Sequence, residues 1–316
     1  MHQNVPFSIL EWGTFLCVIS VFLALDLGVF HKKAHVIKFR EALCWIICWV
    51  SMAGLFAFWI KYRADTQKAF EFVTGYVIEL SLSMDNVFVI AVIFSYFKTP
   101  INLQHRVLFW GILGAIIMRG FMICLGTALV RAFEWVFIIF GIFLIISGIK
   151  LLISRSEGVH PEKNLLIRLA RKIFPVTKDY VGQEFFCRVV DGFAVTPLFL
   201  VLLVIETADL VFALDSIPAI FAVTTDPFIV FTSNVFAILG LRSLYFLLAN
   251  AIEYFQYLKY GLSLVLIFVG FKMLLAEKYH ISTQASLLII LSILLVSIIV
   301  SVIRKRKNVV FDNEIK

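Results

Sequence analysis

The stretch Val204-Ile-Glu-Thr-Ala-Asp-Leu-Val-Phe-Ala-Leu-Asp-Ser-Ile-Pro218 carries three carboxylates, Glu206, Asp209 and Asp215, within an apolar run from Phe193 to Val223. Such a run is long enough to cross a bilayer, which takes about 20 residues as a helix. An ionised carboxylate at mid-membrane costs roughly 2.5–3.5 kcal/mol, so three facing lipid would cost on the order of 8–10 kcal/mol. A purely structural helix does not need them. They are therefore expected to face a polar cavity and to bind a cation there.

The rest of the chain agrees with a membrane setting. Its 316 residues are 61% hydrophobic and 16% charged, with a mean hydropathy of +0.98. Soluble domains average about 25% charged. Hydropathy marks nine candidate spans, at 7–30, 42–60, 70–97, 107–130, 133–153, 193–222, 228–249, 257–276 and 284–303. The fold class read from this is all-α and polytopic, a single transmembrane transporter domain over 1–316. The net charge of +7 does not point to nucleic acid, because the basic residues fall in loops. With the N-terminus outside, nineteen Lys and Arg lie in inside loops or the C-terminal tail and five in outside loops. This bias sets the topology N-terminus out, C-terminus in. The basic stretch 154–191 becomes a cytoplasmic, membrane-surface connector. Five cysteines, an odd number and mostly in apolar segments, give no disulfide framework.

The chain also repeats itself. Val77-Ile-Glu79 matches Val204-Ile-Glu206, and Pro100 and Pro227 follow at the same distance. Ile112-Leu-Gly114 matches Ile238-Leu-Gly240, and Gly148-Ile-Lys150 matches Gly270-Phe-Lys272. Residues 69–153 and 192–276 then form two copies of three spans each. An odd number of spans inserts the second copy upside down, and inverted repeats of this kind mark alternating-access transporters with a site at mid-depth.

The third span places Glu79, Asp85 and Asn86 near mid-membrane, and the sixth places Glu206, Asp209 and Asp215 there. Asp26 sits toward the inner end of the first span. Glu206 and Asp209 share a helix face. Pro218 is a candidate break that frees the Leu214 carbonyl as a ligand. The donors are hard oxygens, with hydroxyls of Ser81, Ser83, Thr207 and Ser216 beside them. All six histidines are assigned to loops or tails, so ligand type favours Mg²⁺, Ca²⁺ or Mn²⁺ over Zn²⁺ or Cu. Met84 adds one soft atom, read as packing. Ser216 and Asn234 are candidate pathway residues, and Arg119 and Arg242 candidate ion-pair partners of the acids. No zincin HExxH pattern, Ser/His pair in a span or nucleotide loop is present, so no enzyme activity and no bound cofactor are expected.

These motifs resemble the TerC family of integral membrane proteins, named for tellurium resistance and including the Alx-type proteins. The resemblance rests on Ala24-Leu-Asp-Leu-Gly-Val-Phe-His31, Glu79-Leu-Ser-Leu-Ser-Met-Asp-Asn86, Phe94-Ser-Tyr-Phe-Lys98, Gln104-His-Arg-Val-Leu-Phe-Trp-Gly111, the run Glu206 to Ala222, and Asp226 to Asn234. It implies kinship with LysE-type exporters and a role in manganese export, with Glu79, Asp85, Asn86, Glu206, Asp209 and Asp215 at the family's acidic motif positions. Met84 stands where the family often has a small apolar residue. A carboxylate-lined path repels the tellurite anion, so a tellurium phenotype would be indirect. The expectation is Mn²⁺ efflux with protons as candidate counter-ions and the lipid bilayer as surroundings. Export of another solute, or a membrane scaffold or insertion factor, remain open beside it.

Overall fold

The computed structural model describes residues 7–25, 39–133, 135–153, 172, 174–189, 192–248, 258–276, 279 and 281–314. Asp26, and residues 154–171 of the expected connector, lie outside them. Nine helices are seen among the described residues: α1 (Ile9–Leu25), α2 (Phe39–Arg63), α3 (Thr66–Tyr96), α4 (Ile101–Ala132), α5 (Trp135–Ile153), α6 (Pro197–Phe221), α7 (Pro227–Leu248), α8 (Leu258–Leu275) and α9 (Thr283–Glu314). Eight of them, α2 to α9, are long and apolar enough to cross a membrane. The ninth, α1, is an apolar helix of 17 described residues. The fold is thus the all-helical, polytopic one that hydropathy predicts.

Local chemistry sets where the helices start. Asp65 caps α3, its carboxylate accepting from the Lys68 amide at 2.7 Å. Pro197 and Pro227 open α6 and α7, where a missing N–H costs nothing. Asp226 accepts from the Phe228 amide at 3.1 Å and so caps α7.

Two boundaries near the site differ from expectation, and α9 runs on to Glu314 where the span is expected to end at 303. The sixth span does not begin at Phe193. Phe186–Val189 (β1) and Gly192–Val195 (β2) pair antiparallel instead, so the helix starts only at Pro197. The segment just before the ribbon is fastened to the end of α3 and the start of α4: the Tyr180 hydroxyl donates to the Phe97 carbonyl at 2.9 Å, and Arg106 to Gln183 at 3.2 Å. The described part of the expected surface connector is therefore a docked element. The fourth span starts at Ile101, which brings His105 into a helix and buries it.

The buried middle of the bundle is α7, enclosed along its apolar length by α2, α3 and α4. Phe228, Phe231 and Phe236 on α7 meet a cluster of rings from α1, α2 and α3, including Trp12, Phe15, Phe56 and Phe72. Helix α5 lies along α8, and α4 lies against α6. The first pair runs antiparallel, since Gly141 faces Gly270 while Gly148, two turns on, faces Ser263 and Ile267. The second pair runs in one direction: Gly111 lies against Leu202 and Ile205, and Gly126 against Ile217 and Phe221.

The α5–α8 seam depends on small residues. A Cβ at Gly270 would lie 2.7 Å from the Gly141 carbonyl oxygen, a backbone atom that cannot step aside. By contrast, nothing lies within 4 Å of a Cβ at Gly13. Gly270→Ala is expected to destabilise the protein by about 1–3 kcal/mol, the usual cost of overpacking. Gly13→Ala should be neutral or slightly stabilising, as alanine favours a helix by about 1 kcal/mol. Thermal unfolding in detergent, followed by loss of the monodisperse peak, checks both.

Candidate functional site

Arg119, on α4, is 1% exposed and reaches three other helices. Its Nη1 donates to Glu79 on α3 in an ion pair, to Asn234 Oδ1 on α7 at 2.9 Å and to Ser216 Oγ on α6 at 3.2 Å. Its Nη2 and Nε grip Asp209 on α6, at 3.0 Å to Oδ1 and 3.3 Å to Oδ2. Asn86 donates to the same Asp209 Oδ1 at 3.3 Å. This two-pronged hold on one carboxylate, with a second carboxylate at another nitrogen, suits a planar guanidinium and no other side chain. Of the two expected cation partners, Arg119 thus joins the acids at the centre. Arg242 is buried in α7 and contacts His105 Nε2 at 3.2 Å.

Two cavities flank this knot. One of about 70 Å³ is lined by Glu79, Asp85, Asn86, Arg119, Asp215, Ser216 and Ser147 among others. Asp215 accepts from Ser147 Oγ on α5 at 2.7 Å. Asp85, half-buried, has no hydrogen bond to its carboxylate among the described residues. The other cavity, of about 30 Å³, is lined mostly by apolar groups such as Gly111 and Ala115, with Asn86 and Asp209 at its edge. Asn86 belongs to both.

Glu206 lies elsewhere. Its carboxylate is pressed against Gly114 of α4, in the space that any Cβ there would occupy, and its Oε2 is buried with no hydrogen-bond partner. So Glu206 and Asp209 share a face of α6 as predicted, yet only Asp209 enters the Arg119 cluster. The six expected metal ligands do not form one coordination shell in this conformation: among the described residues no three acidic, His or Cys side chains are gathered closely enough to hold a metal ion. Asp26 lies outside the described residues. Ser216 and Asn234 take their places around Arg119. The hydroxyls of Ser81 and Thr207 are spent on their own helices, bonding Val77 and Leu203 carbonyls at 2.6 Å. Met84 packs in the apolar core.

Two further expectations are corrected. Helix α6 continues through Pro218, which sits in its last turn, so the expected break is absent. His105 is buried in α4 rather than in a loop, so the assignment of all six histidines to loops and tails does not hold. Sequence reasoning missed Ser147 and Gly114. Ser147, a lone hydroxyl in the strongly apolar Ile145-Ile-Ser-Gly148, was a readable signal. Gly114 lies inside the repeated Ile-Leu-Gly, but only packing reveals that its missing side chain makes room for Glu206. Also missed was a network at the α2–α3 end of the bundle. There Glu71 accepts from Lys68 at 3.0 Å and Thr224 at 2.6 Å, beside a cavity of about 280 Å³ that Lys272 also lines.

A bundle of eight apolar spans around a buried, charged, oxygen-rich centre defines a polytopic integral membrane protein. The chain belongs to the TerC family of integral membrane proteins, whose model it matches over residues 64–309. It is 51% identical, over 93% of its length and 92% of the relative's, to a Myxococcus xanthus protein named as an uncharacterized membrane protein. It is 44% identical to the protein named "Putative membrane-bound redox modulator Alx" in Escherichia coli K12, over 95% of this chain and 96% of that one. The Photorhabdus laumondii protein of the same name is also 44% identical, over 95% of this chain and 97% of its own. No solved structure matches the chain.

The Glu206 seat yields a direct check. Gly114→Ala forces the carboxylate off α4 and is expected to destabilise by about 1–3 kcal/mol. Adding Glu206→Ala should recover most of that loss, because the clash is with this one side chain. A double-mutant cycle on unfolding temperature that gives purely additive effects would contradict this placement.

Proposed function

We propose that the protein is a transporter exporting a divalent metal cation, most readily Mn²⁺, by alternating access through the intramembrane carboxylate site. The observation that carries this reading is the cavity of about 70 Å³ lined by Asp85 and Asp215, with Glu79 at its wall. Arg119 offsets Glu79 and Asp209, while Asp85 feels the charge of Lys259 and Asp215 that of Lys150, neither pair joined by a hydrogen bond among the described residues. Two carboxylates facing one cavity match the charge of a divalent ion. Asn86, Ser147 and Ser216 supply neutral oxygens, the donor set of Mg²⁺, Ca²⁺ and Mn²⁺. The space admits an ion with a water or two, given about 10–15 Å³ per water on this measure.

The bundle supports alternating access. Helices α3–α5 and α6–α8 are the two sequence-related triplets, and the acids sit where they meet. Two copies inserted in opposite senses require the third helices to be antiparallel and the second helix of one copy to run with the first of the other. Both relations hold, for α5 with α8 and for α4 with α6. Lys and Arg place the C-terminus and the α3–α4 turn in the cytoplasm. The ion then binds from that side and leaves outside after the triplets rock. Moving two positive charges outward against a potential of 100 mV costs about 4.6 kcal/mol, so export draws on the ion gradient or on protons returning inward.

The redox role in the relatives' name finds less support. The five cysteines are free; Cys17, Cys44, Cys48 and Cys124 are exposed on the outer faces of their helices, and none lines the cavity. A redox effect would follow indirectly from the metal balance.

In proteoliposomes the wild type should carry saturable Mn²⁺ flux. Asp85→Asn and Asp215→Asn should each lower it about tenfold or more, the effect of losing a single interaction worth 1.4 kcal/mol or more. Equal flux in wild type, variants and empty vesicles would move the reading to a scaffold; flux of an amino acid in place of Mn²⁺ would move it to a LysE-like exporter.

A further inference from the structure

Arg119 is an odd resident for a cation site. A fully charged guanidinium sits among the acids, shares the wall of the 70 Å³ cavity with Glu79, and would face an incoming divalent ion with like charge. Building on the export reading, we propose that Arg119 is a tethered counter-cation. It occupies Glu79 and Asp209 when the protein is empty and gives up Glu79 to the transported ion.

Three observations converge on this. The first is charge. Glu79 and Asp209 are buried, and an unpaired buried carboxylate is strongly unfavourable. With Arg119 in place the trio carries a formal charge of −1; without it, −2. An empty carrier must carry its site back through the membrane interior, and the arginine makes that passage possible without a bound ion.

The second is geometry. Arg119 bridges both triplets, from α4 in the first to Asp209 and Ser216 on α6 and Asn234 on α7 in the second. It therefore touches both bodies that must move in a rocking cycle, and its bonds report which way they are set.

The third is room to retreat. The second cavity, about 30 Å³, is lined mostly by apolar groups, Gly111 and Ala115 among them, with Asn86 and Asp209 as its polar groups. Ala115 and Gly111 lie one and two turns back from Arg119 along α4. A helical side chain leans toward that preceding turn, so the guanidinium can fall back there while keeping Asp209. Small residues at these two places leave the space open. Glu79 then turns wholly to the first cavity, beside Asp85 and Asp215.

The assignment separates two transport modes. Net efflux requires the empty protein to return, whereas exchange of labelled for unlabelled Mn²⁺ across the membrane uses only loaded forms. In proteoliposomes, Arg119→Gln is expected to lower net Mn²⁺ efflux about tenfold or more and to leave exchange within about threefold of wild type. Arg119→Lys, which keeps the charge but not the two-pronged hold on Asp209, should give more net efflux than Arg119→Gln. A loss of folding alone lowers both modes together, so equal falls in exchange and net efflux overturn the proposal, as does unchanged net efflux in Arg119→Gln. Should Arg119→Gln not fold, Ala115→Val fills the retreat and leaves every charge in place. It should raise the Mn²⁺ concentration for half-maximal flux about tenfold, and an unchanged value overturns the proposal. Infrared difference spectra of wild-type protein carrying guanidino-¹⁵N arginine need no substitution. Mn²⁺ must shift an isotope-sensitive guanidinium band, and bands unmoved by Mn²⁺ contradict the displacement. If the wild type moves Mn²⁺ in neither mode, the export reading itself fails and takes this one with it; normal wild-type transport with coupled losses removes this one alone.

Discussion

Charge inside the bilayer is costly unless it is paired, and the contact of Arg119 with Glu79 and Asp209 pairs three charged groups at the centre of this protein. Removing one partner of such a set typically costs 3–5 kcal/mol, because the others are left buried and unpaired. The same contacts tie α3, α4, α6 and α7 together at mid-depth. No other side chain among the described residues links the two helix triplets so extensively. The apolar packing around it fills space but has no comparable directional demand.

That packing is organised to leave the centre roomy and the seams tight. The paired glycines of α5 and α8 bring two backbones into contact, and the rings of α1, α2 and α3 close over α7. Such seams are typical of helices in lipid, where association relies on close van der Waals contact rather than on expulsion of water. The polar centre is thus enclosed by closely packed helix interfaces.

The candidate site was partly readable in advance. Five acidic residues in two apolar runs stand out because their insertion cost has to be offset by something. Arg119 and Arg242 were readable as the only arginines deep in spans, yet nothing in their positions told them apart. In the folded protein Arg119 meets the acids and Arg242 meets His105. Likewise, periodicity puts Glu206 and Asp209 on one face of α6. It cannot tell that one lies on Gly114 of α4 and the other on Arg119, five residues further along that helix. Pro218 promised a break, but a proline in the last turn of a helix leaves few following residues to displace, and α6 runs on.

By itself the sequence determined the membrane class, the number of spans to within one short helix and the list of intramembrane acids. Those features follow from composition and spacing, which act along the chain: length against bilayer thickness, and the cost of charge in hydrocarbon. Tertiary structure alone decided the docked ribbon before α6, the burial of His105, the room for Glu206 at Gly114, and the choice of Arg119 as counter-ion. Each depends on which helix faces which, and that is settled by side-chain fit among distant segments. Two carboxylates three residues apart are alike in sequence; they become different groups only when one neighbour is a guanidinium and the other a missing side chain.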